Sequence, residues 1–191
     1  MKDQYFGDLN DYRKYGLLRA LTGESALKLG VAWMLTPPDG RADGSRVAYL
    51  EQPARFRACD PPLFEALHNS LQRRHVRCVS EVRRAGLLPG ALFDDAIVPD
   101  MASAREALFK RLLLRFRAAD LIFFDPDNGL EVRSRPWGRP GSAKYLFWRE
   151  VEAAFAQGHS LLIYQHFPRV KRAGYSARLA AELTARTGAA R

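Results

Sequence analysis

The chain has 191 residues, with 30 Lys or Arg against 21 Asp or Glu, so its formal charge is +9. That length favours one domain, 1–191, with room for a sizeable core. No apolar run approaches membrane-spanning length, and Met1-Lys2-Asp3-Gln4-Tyr5 contains no apolar h-region. A membrane partner is therefore not expected, and the expected location is cytoplasmic. Lys accounts for six basic positions, leaving 24 Arg. Arg forks suit phosphate and carboxylate, so a nucleic acid is the expected partner. A GC-rich genome would enrich Arg equally well. Cys59 and Cys78 are the only cysteines and belong to no metal-type cluster.

In chain order, Asp8 or Asn10 is placed to cap a helix through 21 whose apolar members include Tyr12, Tyr15 and Leu18. Residues 28–35, KLGVAWML, read as a core strand that stops at Thr36-Pro37-Pro38-Asp39-Gly40. VAYLE, 47–51, reads as a short strand. Asp60-Pro61-Pro62 opens a helix to about Arg74, since Pro is tolerated at helix starts. Residues 75–82 are ambiguous between strand and short helix, and 91–98 contain another short strand. Over 102–118 the spacing predicts a helix, with Ser103 and Glu106 as its capping box. Residues 121–124, Leu-Ile-Phe-Phe, form an all-apolar run ended by Asp125-Pro126-Asp127-Asn128-Gly129. Such a run reads as a strand buried on both faces. A loop with three Arg follows over 132–141, then a helix from Ser142 to Gly158, a second buried strand over 160–167, and a last helix near 175–187.

Alternating helices and strands predict a three-layer α/β fold, a mostly parallel Rossmann-like sheet with helices on both faces. Strands near 31, 121 and 161 form its centre. Their carboxyl ends bring Thr36–Asp39, Asp125–Asn128 and Gln165–His166 to one edge, where ligands of open α/β sheets bind. Asp125, Asp127, Asn128 and His166 are the candidate catalytic residues. Lys144, Gln165 and Arg169 are candidates for holding substrate. One chemistry open to this set is Mg²⁺ or Mn²⁺ binding by Asp125, Asp127 and Glu131, in a nuclease or phosphohydrolase. The mutual repulsion of these carboxylates favours a cation. A non-catalytic module that binds nucleic acid or protein is a further alternative.

The order of LNDYRKYGLLRAL, VAWMLTPPDG, AYLEQPARF, IFFDPDNGLE and GHSLLIYQHFPR resembles the methyltransferase family that modifies adenine N6 in large-subunit ribosomal RNA. The likeness of order covers roughly residues 6–172. It implies a methyltransferase-type sheet, S-adenosylmethionine as cofactor and RNA as the favoured partner. On this reading Asp8, Asn10, Lys14, Trp33, Thr36 and Asp39 line the cofactor pocket, and Asp125 and Asn128 accept from the target amino group. The chain departs from the family in two places. Met34–Gly40 stands where a Gly-rich loop would lie, and Asp125-Pro126-Asp127-Asn128 replaces Asp-Pro-Pro-Tyr, so the Tyr that stacks on a flipped base is missing.

Overall fold

The computed structural model describes residues 1–23, 25–38, 44, 46–167 and 170–188. It is α/β. Four strands, β1 (Leu29–Ala32), β2 (Leu92–Asp94), β3 (Leu121–Phe124) and β4 (Ser160–Ile163), form a parallel sheet in the order β2-β1-β3-β4. The helices are α1 (Leu9–Gly23), α2 (Pro53–Phe56), α3 (Pro61–His68), α4 (Ser80–Arg84), α5 (Ala102–Arg115), α6 (Trp148–Ala156) and α7 (Arg172–Thr187). Among the described residues no helix is long and apolar enough to cross a membrane.

The expected strands near 31, 121 and 161 are the adjacent β1, β3 and β4. Every residue of β1 and β3 is buried. Their alternate side chains enter two clusters. Val31, Leu121 and Phe123 pack with Tyr15 and Leu18 of α1 and with Leu63 and Leu67 of α3. Ala32, Ile122 and Phe124 pack with Leu108 and Leu112 of α5 and Val151 of α6. Burying each of these large side chains contributes roughly 1.5–3 kcal/mol. Gly30 is required at its place on β1, because a Cβ there would lie 2.9 Å from the Phe116 ring that ends α5. From β1 the chain crosses to β2 on one side and returns to β3 on the other. The carboxyl ends of β1 and β3 therefore border a reversal of winding, where a crevice opens.

Several local expectations are corrected. Residues 48–51 form a 3-10 turn rather than a strand. Tyr49 and Leu50 are both buried, which a half-buried strand with alternating faces cannot achieve for neighbours. Ser103 and Glu106 make no capping box, since the residue before α5 is Met101 with no side-chain cap bond. Ser142 does not open α6. It starts a 3-10 turn, and its hydroxyl lies 3.1 Å from Asp100 Oδ1. The helix begins at Trp148, where Glu150 accepts from the Phe147 N–H. The expected α1 cap is present: Asp8 Oδ1 accepts from the N–H groups of Asn10 and Asp11.

Candidate functional site

Pro126 ends β3, and the next residues turn over the sheet edge. Asp125 remains tied to the ladder through its N–H, which donates to Ala32 O at 3.0 Å. Its carboxylate meets α1. Lys14 Nζ lies 2.7 Å from Asp125 Oδ2 and 2.7 Å from Asp11 Oδ1. The ammonium also sits over the Tyr164 ring, 4.4 Å from its centre. Asp11 and Lys14 reach the same point because residues three apart share a helix face.

Burial shapes the protonation of this triad. Asp11 is fully enclosed, and desolvation pushes its carboxyl up to about 6, with Asp125 and Asp8 adding to the rise and Lys14 opposing it. Desolvation also works against the Lys14 ammonium, but Asp11 and Asp125 outweigh it and hold its pKa above the ordinary lysine value. Lys14 is thus a fixed cation, while Asp11 takes up a proton near pH 6.

Asp127 points the other way. Thr36 Oγ1 donates to Asp127 Oδ2 at 2.5 Å, Lys2 Nζ is 3.8 Å from that oxygen, and the Met1 ammonium is 2.7 Å from Oδ1. Desolvation would raise the Asp127 pKa, but the ammonium and the Thr36 hydroxyl outweigh it and hold the carboxyl below the usual range.

Around these groups lies a cleft of about 350 Å³, at the small end of ligand pockets. Asp8, Asn10 and Lys14 line it from α1, Asp125 and Asn128 from the loop after β3, and Tyr164 and His166 from the end of β4. Asn128 is exposed. The His166 ring meets Tyr164 edge-on at 4.9 Å. Burial depresses its pKa, Lys14 adds to the fall, and Asp125 opposes it. At neutral pH the imidazole is therefore free to accept a proton.

The structure brings Asp8, Asn10, Lys14, Asp125, Asp127, Asn128 and His166 together around one cleft, and leaves out the rest of the expected set. Trp33 belongs to the interior, stacked on Phe93 at 5.2 Å between ring centres. Thr36 is buried against Asp127. Lys144 contributes its carbonyl, which accepts from Asn128 N at 2.8 Å. Gln165 Oε1 accepts from Leu130 N, so this side chain braces the loop. Asp39 and Arg169 lie outside the described residues.

The expected metal set does not converge. Glu131 Oε2 accepts from Trp148 N at 3.0 Å, capping α6, and lines a different groove from Asp125 and Asp127. Among the described residues no three His, Cys, Asp or Glu side chains are grouped as a metal ion requires. Asp125 is paired with Lys14, and Asp127 with the Met1 amino group, Lys2 and the Thr36 hydroxyl, all from the chain itself. For S-adenosylmethionine the crest of β1 offers no approach, with Trp33 and Thr36 enclosed. On the α1 side Asp8 and Asn10 line the cleft, a carboxylate and an amide of the kind that the ammonium and hydroxyl donors of that cofactor would need.

Asp11 and Tyr164 also line the cleft, although no motif in the sequence singles either of them out. The Asp11–Lys14 spacing of three was the one available signal. Comparison of the chain with family models, curated proteins and solved structures returned no match.

Proposed function

We propose that the chain is a methyltransferase-related enzyme acting on nucleic acid, RNA before DNA, with its reaction centre in this cleft. The observation that carries the reading is the position of the Asp125–Asn128 loop. It lies past the carboxyl end of β3, beside the winding reversal, facing Asp8 and Asn10 on α1. Strand order and the two core clusters support a three-layer Rossmann-like arrangement of the methyltransferase type.

In this reading Asp8 and Asn10 hold the cofactor. When bound, S-adenosylmethionine supplies an electrophilic methyl group. The Asn128 amide oxygen accepts from the target amino group and orients its lone pair. Methyl transfer would break the sulfonium S–C bond, leave the cofactor as a thioether, form an N–C bond and release one proton from nitrogen, which neutral His166 is placed to take. Asp125 positions the loop through Lys14 rather than touching the base.

Transfer of labelled methyl from S-adenosylmethionine to RNA and to DNA tests the reading. Label should enter RNA, and Asn128→Ala should reduce incorporation at least about tenfold, the scale of losing one well-made transition-state hydrogen bond. Absence of incorporation into either nucleic acid by the unaltered chain would overturn it.

A further inference from the structure

A second, larger groove of about 1160 Å³ runs between the loop over 132–141, α6 and α7. Its walls interleave guanidinium groups with aromatic rings. Arg149 lies over Trp137 at 4.9 Å, Arg178 over Tyr175 at 5.2 Å and Arg186 over Trp148 at 5.0 Å. Arg133 joins them on the loop. A guanidinium resting on a ring keeps its edge N–H groups pointing away from that ring, toward any anion in the groove. The loop from 132 to 141 holds Arg133, Arg135 and Arg139 and no acidic residue. Against these stand Glu152 and Glu182, both engaged by Arg186, and Glu131, which caps α6. Arg149 also meets Glu106 at 3.4 Å, so the positive charge left over among the described residues belongs mainly to Arg133 and Arg178.

The groove is also joined to the cleft. Gln165 Nε2 is 3.1 Å from the Tyr175 hydroxyl, and its Oε1 accepts from Leu130 N beside the Asp125–Asn128 loop. A chain lying along the groove and passing Tyr175 would arrive over Gln165 and reach His166.

We propose that this groove binds the phosphodiester backbone of a single-stranded nucleic acid and leads it to the cleft. Arginine forks braced on aromatic rings suit phosphate, and the half-buried rings of Trp137 and Tyr175 offer edges for unpaired bases. The direction of the strand toward the cleft rests on the proposed function. Backbone binding does not, and it can be tested without any methyl transfer.

The test is fluorescence anisotropy with labelled single-stranded oligonucleotides of about 12 nucleotides, a length within the span of one such groove. The unaltered chain, Arg133→Ala/Arg178→Ala and Lys110→Ala/Arg111→Ala are compared across a salt series. All four side chains are exposed, and melting curves confirm folding. The groove pair should lose at least tenfold in affinity and lower the salt slope by about 1.4, two phosphate contacts' worth for a single strand. The α5 pair, which removes equal charge away from the groove, should change neither by more than about twofold. Equal losses in both variants, no binding at low salt, or equal binding of a polyglutamate peptide would each overturn the proposal. Success here alongside failed methyl transfer would separate the two readings.

Discussion

Lys14 Nζ stands 2.7 Å from Asp11 Oδ1 and 2.7 Å from Asp125 Oδ2. One ammonium thus fastens helix α1 to the loop that leaves the central strand, across 111 residues of sequence. Its removal strands two enclosed carboxylates. Lys14→Met should destabilise the fold by about 3–5 kcal/mol, the usual scale for breaking a buried pair from one side. Lys14→Met/Asp125→Asn should cost less than the sum of its two single changes, because a neutral amide no longer needs the cation. Urea unfolding of the four proteins completes the cycle, and additive costs would contradict the pairing.

Asp11 predicts a pH signature. Its carboxyl rises from 3.8 to about 6 on folding, so the native state holds this proton more tightly than the unfolded chain. Its contribution to stability is present below about pH 4 and is lost as pH rises toward 6. Asp11→Asn removes that loss. The variant's stability should therefore fall less than that of the unaltered chain between pH 4 and 7, measured by denaturant midpoints. Parallel curves would contradict the assignment.

Asp127 carries the opposite sign. Its depressed pKa gives stability above the ordinary carboxylate value that is lost on acidification. Thr36→Val deletes the hydroxyl that donates to it and should cost about 1.5–3 kcal/mol, the scale for hydrogen bonds to charged groups. Because the carboxylate is already engaged, Mn²⁺ should leave the melting midpoint unchanged. A rise of several degrees that disappears in Asp127→Ala would restore the metal reading.

Gly129 has φ +90°, and a Cβ there would lie 2.4 Å from Gln165 side-chain atoms. Gly129→Ala should destabilise by more than 1 kcal/mol, roughly the cost of a non-Gly residue in this backbone region. It should also displace Gln165 from Leu130 N. Weaker oligonucleotide binding in the groove is the expected consequence, since Gln165 also contacts Tyr175.

The sheet centre was legible because Leu121–Phe124 is apolar at every position and ends in Pro and Gly, a local pattern that only a strand enclosed on both faces explains. The α1 cap was legible for the same reason, with Asp8 and its N–H partners lying within three residues. Residues 48–51 misled because Tyr49 is aromatic and strand-like while Leu50 beside it is also buried. Glu131 misled more seriously. Near Asp125 in sequence, it works as a cap for α6 seventeen residues on. The relief of carboxylate repulsion was invisible for a similar reason: Lys14 and Thr36 arrive from 111 and 91 residues away. Spacing along the chain reports neighbours on one helix or strand, and these partners are neighbours only after the sheet is assembled.

Calorimetric titration of S-adenosylmethionine into the unaltered chain and into Asn10→Ala tests the central claim most directly. Asn10 lines the cleft from α1 without supplying the Asp8 cap, so the variant should fold. One saturating site per chain is expected, with affinity at least about tenfold weaker in Asn10→Ala, a 1.4 kcal/mol loss in binding. No heat from the unaltered chain, or identical isotherms from the two proteins, would contradict a cofactor held on the α1 side of the cleft.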